Sequence, residues 1–251
     1  MTARRILVVD DEESIRFTFE AFLGDEGYRV DTAASLTEAM ELAGQNDYDA
    51  IFLDILLGRE SGMKALQFMR ERNPNCAVVM VTGAPEIATA AEAVRLGAFD
   101  YATKPIHQDD LLRIARQALD HKALLDQQET YRLRMAAVFD SIGEGILVFD
   151  EEFRVVEINA SARRMLACND EIIGRSLDEL VASGRCTVVR QFQDVVAQRC
   201  MGEIFSLSAV NAVGEPLVVS LTMAPLTSQA GRETGVVLVL RDESQPYVNA
   251  G

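Results

Sequence analysis

The sequence predicts two domains of different build: an α/β domain with a doubly wound, five-stranded parallel sheet, then an α+β domain whose sheet is mostly antiparallel. Three observations predict this. From residue 4 to about 120, short β-branched apolar runs alternate with longer helical patterns, as in a parallel sheet covered on both faces by helices. After Ser141 the apolar runs are split by a helical middle section, which places helices on one face of a sheet. The chain's 251 residues, 49% of them hydrophobic, suffice for two ordinary cores.

In the first region Ile6 to Val9, Tyr28 to Thr32, Ala50 to Leu53 and Ala77 to Val81 read as buried strands, with Asp100 to Ala102 a short fifth. Between them Ser14 to Leu23, Leu36 to Ala43, Gly62 to Arg70 and Pro85 to Leu96 carry apolar residues at helical spacing. Gln108 to about Phe139 contains no Gly or Pro, and a stripe runs through Leu111, Ala115, Ala118, Lys122, Leu125, Glu129, Leu133, Ala136 and Phe139. A helix of that length spans roughly 50 Å and projects beyond the first domain; because Lys122 and Glu129 interrupt the stripe, the alternative is an ordinary last helix followed by a polar linker. Asp109 and Asp110 suit the start of this helix, where its dipole favours carboxylates. In the second region Gly143 to Phe149, Arg154 to Ile158, Ile204 to Ala209, Pro216 to Ala224 and Val236 to Arg241 read as strands, with helical patterns at Ala160 to Leu166 and Thr187 to Cys200.

Composition excludes several function classes. A net charge of −15 leaves no broad basic surface for a phosphate backbone, so direct nucleic-acid binding is disfavoured. Cys76, Cys168, Cys186 and Cys200 have neither CxxC pairing nor tight ligand spacing, which argues against a disulfide framework or a zinc site and fits a reducing cytoplasm. The apolar run after the N-terminus is too short for a signal-peptide core, and no later segment reaches membrane-spanning length. The sequence shows no kinase ATP-binding glycine motif, no GxxxxGK loop, no phosphoacceptor histidine box and no helix-turn-helix.

In an open parallel sheet, functional groups gather where strands end at their carboxyl edge. Strand one ends in Asp10 and Asp11, strand three in Asp54 and strand four in Thr82, and strand five leads into Lys104 and Pro105. Close carboxylates repel and need a countercharge, which a hard divalent cation such as Mg²⁺ supplies. A carboxylate beside such a cation can attack phosphorus, with Lys104 neutralising the transferring group and Thr82 hydrogen-bonding it. Taken singly, an Asp-Asp pair is more often a helix cap and a Lys-Pro pair a turn. Only their occurrence together, in order on one edge, makes a site.

These residues resemble the receiver domains of two-component response regulators, a flavodoxin-like family, over residues 4 to about 120. The likeness rests on ILVVDDEE, IFLDILL, VVMVTGAP and GAFDYATKP, in the family's order and spacing. The resemblance implies Mg²⁺ held by Asp11, Asp54 and the Leu56 backbone carbonyl, with Asp10 acting mainly through water. It implies phosphorylation of Asp54 by a histidine kinase or phosphotransfer partner, and a switch in which Thr82 moves toward the phosphoryl group and Tyr101 turns inward.

Residues 136 to about 245 resemble a PAS domain, through the opening hairpin, Asn159 before a short helix, the Ile173-Gly174 step and the final Arg241-Asp242-Glu243-Ser244. PAS domains bind ligands, dimerise or relay signals, so this fold leaves the role open. Haem with an axial histidine is argued against because both histidines, His107 and His121, lie outside this region. The Asn-Cys-Arg-Phe setting of cysteinyl-flavin domains is absent, and the wide spacing of Cys168, Cys186 and Cys200 disfavours an iron–sulfur cluster. The PAS ligand, if any, stays unidentified.

The resulting expectation is a cytoplasmic, homodimeric signalling protein with a receiver at 1–120, a helical linker at 121–135, a PAS domain at 136–245 and a tail at 246–251. Its alternative is an adaptor, or the N-terminal part of a larger hybrid kinase or activator, whose PAS domain is an interaction module.

Overall fold

A computed structural model describes residues 3–58, 60–166, 168, 170–176, 178–179, 204–210, 216–228 and 230–243. The chain divides into two compact units, with the division between Arg132 and Leu133 in sequence.

In the first unit β1 (Arg5–Val9), β2 (Arg29–Ala33), β3 (Ala50–Asp54), β6 (Ala77–Thr82) and β7 (Asp100–Thr103) form a parallel sheet in the order β2-β1-β3-β6-β7. A two-residue hairpin, β4 (Leu56–Leu57) with β5 (Glu60–Ser61), follows β3. The central strands are buried throughout, because both faces are covered: every residue of β3 and β6 is shielded from solvent. Two cores result. Leu7, Leu53, Val78 and Met80 pack with α2 (Leu36–Gln45) and α3 (Gly62–Arg72), while Ile6, Val8, Phe52 and Val79 pack with α1 (Glu13–Asp25) and the first turns of α5 (Gln108–Ser141). Alternation along each strand assigns successive side chains to opposite cores. The fourth crossover helix, α4 (Ile87–Arg95), buries only Ala93 completely.

Helix α5 is continuous over 34 residues. Its predicted stripe changes character along its length. Leu111, Ala115 and Ala118 belong to the α1-side core of the first unit, and the stripe then becomes polar for a structural reason. Lys122 pairs with Asp126 at 2.5 Å, and the Asn75 amide donates to Asp126 at 3.1 Å and Glu129 at 3.0 Å, so the helix leans on the loop after α3. Leu124, Tyr131, Leu133, Met135 and Val138 are left exposed.

In the second unit β8 (Gly145–Asp150), β9 (Val155–Ile158), β10 (Ile204–Val210), β11 (Pro216–Thr227) and β12 (Glu233–Asp242) form an antiparallel sheet in the order β10-β11-β12-β8-β9. Leu147, Phe149, Leu221, Leu238 and Leu240 line its inner face against α6 (Ala160–Leu166). Asn159, fully buried before α6, accepts from the Ile146 and Ala162 amides and donates to the Phe139 and Glu144 carbonyls at 2.8 to 3.1 Å. One satisfied side chain thus ties the end of α5, the opening strand and α6 together. At Gly235 the backbone crosses so near β8 that a Cβ would overlap the Phe149 carbonyl oxygen. The helix expected over Thr187 to Cys200, together with Cys186 and Ser244, lies outside the described residues.

Candidate functional site

The parallel sheet places Asp10 after β1, Asp54 at the end of β3, Thr82 at the end of β6 and Lys104 after β7, all at one edge. The predicted residues come together there. Lys104 Nζ lies 2.6 Å from Asp10 Oδ2 and 2.7 Å from Asp54 Oδ2. Asp10, Asp11 and Asp54 each offer an oxygen within 4.8 Å of the others. Asp10 and Asp54 are buried and Asp11 is exposed, so the cluster opens to solvent on one side.

The backbone fixes each group. Asp10 Oδ1 accepts from the Glu12 amide at 3.0 Å, Asp54 Oδ1 from the Leu56 amide at 3.0 Å, and Asp11 Oδ2 from the Gly58 amide at 3.1 Å. Thr82 Oγ1 accepts from the Ala84 amide at 3.1 Å. Leu56 begins the β4 hairpin, with its side chain in solvent. Tyr101 sits partly buried on β7, its hydroxyl 3.2 Å from Thr89 Oγ1.

Burial pushes the Asp10 carboxyl above the usual carboxylate range, against the opposing bonds from Lys104 and the Glu12 amide. Burial would also lower the Lys104 ammonium, but its bonds to Asp10 and Asp54 outweigh this and hold its pKa above the ordinary lysine value. The cluster therefore carries more negative charge than one lysine offsets, and its oxygen donors suit a hard divalent cation.

Sequence reasoning missed three residues here. Glu12 brings a further carboxylate to 3.4 Å from Lys104, and its place beside the Asp-Asp pair was the available signal. Arg16 donates to the Asp10 carbonyl at 2.6 Å, holding the loop from α1. Gly62 lets α3 start directly against the end of β3: a Cβ there would overlap the Asp54 carbonyl oxygen.

Residues 6–116 match the response regulator receiver domain and residues 139–247 match the PAS fold. The chain belongs to the two-component response regulators. Its relatives include the alginate biosynthesis transcriptional regulatory protein AlgB of Pseudomonas aeruginosa, 41% identical over 125 residues, which are 50% of this chain and 28% of AlgB. An NtrX-like response regulator of Rickettsia bellii is 26% identical over 198 residues, covering 78% of this chain and 41% of that protein. This response regulator thus spans less than half the length of either relative. The crystal structure of NtrX from Brucella abortus aligns at 36% identity over 54% of this chain and 31% of that one, with a TM-score of 0.49. Among the described residues no helix is long and apolar enough to cross a membrane.

Proposed function

We propose that this response regulator is a phosphorylation switch: Asp54 accepts a phosphoryl group from a sensor histidine kinase or phosphotransfer protein, and α5 relays the change to the PAS domain. The observation that carries the reading is Lys104 bridging Asp10 and Asp54 at 2.6 and 2.7 Å inside a three-carboxylate cluster. A merely structural lysine needs one partner; this one faces an excess of negative charge.

In the transfer an Asp54 carboxylate oxygen attacks phosphorus, the bond from phosphorus to the donor breaks with its electron pair remaining on the donor, and Asp54 becomes an acyl phosphate. Lys104 keeps its place and exchanges part of its carboxylate contact for the phosphoryl oxygens. Thr82 gives up the Ala84 amide and donates its hydroxyl to one of those oxygens, and Tyr101 turns into the space this opens. Asp11, Asp54 and the Leu56 carbonyl would hold Mg²⁺, with Asp10 acting mainly through water, and the oxygen-only donor set fits that cation. When bound, Mg²⁺ supplies charge neutralisation to the transferring group.

A second reading is favoured by the lengths of the relatives, which extend well beyond the matched region. In it the receiver and PAS domains regulate an output on a further domain or a separate chain, with PAS as the interaction module.

Intact-mass spectrometry after incubation with acetyl phosphate and Mg²⁺ tests the chemistry. Wild type gains one phosphoryl group and Asp54→Ala gains none; uptake by Asp54→Ala, or none by wild type from acetyl phosphate or candidate kinases, overturns the reading. Size-exclusion chromatography of the same samples tests homodimer formation, for which a concentration-independent monomer before and after uptake is the adverse result.

A further inference from the structure

Helix α5 has two faces with different fates. Leu111, Ala115 and Ala118 pack into the receiver, and the same face continues through Lys122, Asp126 and Glu129 to the loop holding Asn75. At about 100° per residue, Leu124, Gln128, Tyr131, Met135 and Val138 fall in one strip on the opposite side. All five are exposed. A strip turned away from the receiver cannot be covered by the receiver, and four of its five side chains are large and apolar.

The period of the strip says what covers it. Its spacings are four, three, four and three, so Leu124, Tyr131 and Val138 recur at strict intervals of seven and Gln128 and Met135 take the alternate core position of a heptad. A straight helix drifts about 20° per heptad, so a strict interval of seven makes a continuous seam only with a helix that supercoils around it. Gln128 narrows the choice to an identical helix. Against an apolar partner its amide would lose water without a replacement, whereas against Gln128 of a second copy each amide offers the other a donor and an acceptor. The flanks agree: in a parallel pair Gln127 lies beside Arg132 of the other copy and Arg134 beside Phe139, so no like charges meet.

We infer that Leu124, Gln128, Tyr131, Met135 and Val138 form a self-pairing seam, through which two copies of this chain join as a parallel, in-register coiled coil. Two heptads make a short seam, so the association is reversible and follows protein concentration. The inference rests on the chain forming a homodimer and names the surface that joins it; its test separates the two claims.

Sedimentation velocity over a concentration series of the full chain, with and without acetyl phosphate and Mg²⁺, is measured for wild type, Gln128→Glu, Gln128→Lys, an equimolar mixture of those two, and Leu133→Glu. Glu and Lys form helices about as well as Gln, so the exposed position 128 accepts either without loss of fold. Leu133 is the control, because it is 56% exposed against 53% for Leu124 yet lies on the far side of the helix from the strip. Gln128→Glu and Gln128→Lys each raise the dimer dissociation constant at least roughly tenfold, since like charges face each other across the seam. Their mixture returns to the wild-type constant or below it, and Leu133→Glu keeps the wild-type constant. A wild type that stays monomeric throughout, with and without phosphoryl donor, overturns the homodimer and the seam together. A dimer that every variant leaves unchanged overturns the seam and leaves the homodimer standing on another surface. A loss in Leu133→Glu equal to that in Gln128→Glu overturns the assigned face. A mixture that associates no better than either variant alone overturns the parallel, in-register pairing, and the strip then belongs to an antiparallel copy or to a different helix.

Discussion

The two edges of the receiver sheet are built from the same residue types and obey opposite electrostatics. At the amino edge charges are matched: Arg5 pairs with Asp31 at 2.6 Å and Arg4 with Asp49 at 2.8 Å. Neutral groups close the network, since the Tyr48 hydroxyl also donates to Asp31, Asn46 accepts from Arg5, and the Arg5 guanidinium lies over the Tyr48 ring. At the carboxyl edge one ammonium faces Asp10, Asp54 and Glu12, with Asp11 beside them. A balanced network serves the fold, whereas unbalanced buried charge marks a place reserved for something that arrives later.

Lysine removal is the harshest way to break this comparison. Lys104→Met leaves Asp10 and Asp54 buried without a cation, and loss of one partner from a buried charged group costs about 3 kcal/mol. Urea unfolding of the receiver transition in the presence of a chelator should show a loss of that order. Arg5→Met should cost less, because Tyr48 still donates to Asp31 and both partners are partly solvated. Equal losses at the two edges would remove the distinction drawn between them.

The amino edge also has a predictable pH signature. Burial alone would raise the Asp31 carboxyl, yet the bonds from Arg5 and Tyr48 outweigh it and hold its pKa below the usual value. A carboxyl depressed in the folded state stabilises above its unfolded pKa, about 4, and that stability is lost as pH falls through the folded pKa. Asp31→Asn should therefore be less stable than wild type by about 1 kcal/mol at neutral pH, with the difference in urea midpoint closing below about pH 4. A gap that persists unchanged at low pH would show that charge is not what Asp31 contributes.

How much of this was legible in the sequence follows from where the information sits. The five receiver strands and the residues that end them could be read because buried parallel strands are continuous apolar runs and their ends are polar by contrast. The β4 and β5 hairpin could not, since two-residue strands carry no period. The α5 stripe and its interruption at Lys122 and Glu129 could be traced as a spacing, but periodicity cannot say that Glu129 meets Asn75 in the loop after α3 or that Lys122 pairs with Asp126. The Thr89 contact with Tyr101 had no signal at all, because nothing local distinguishes a threonine whose partner lies on the next strand. In the PAS unit Asn159 was visible as the residue before a helix, but its four bonds depend on a backbone path that only the fold supplies.

Neutralising the carboxyl edge should have the reverse sign. The Asp10 carboxyl is pushed up by burial, so the folded protein holds its charge at a cost. Asp10→Asn keeps an acceptor for the Glu12 amide and relieves repulsion with Asp54, and should raise stability in chelator by about 1 kcal/mol while impairing phosphoryl uptake. A destabilised Asp10→Asn protein would mean that Lys104 already balances this edge.

The smallest effect sharpens the comparison from the exposed side. Arg4 is 42% exposed, so its pair with Asp49 is screened by water and salt. Asp49 does not depend on it, because the carboxylate also accepts from the Arg5 amide at 2.8 Å. Arg4→Ala should therefore shift the receiver unfolding midpoint by less than about 0.5 kcal/mol, and the shift should vanish in high salt. A larger, salt-insensitive loss would place Arg4 inside the amino-edge network rather than at its rim, and the matched edge would then extend to the start of the chain's first strand.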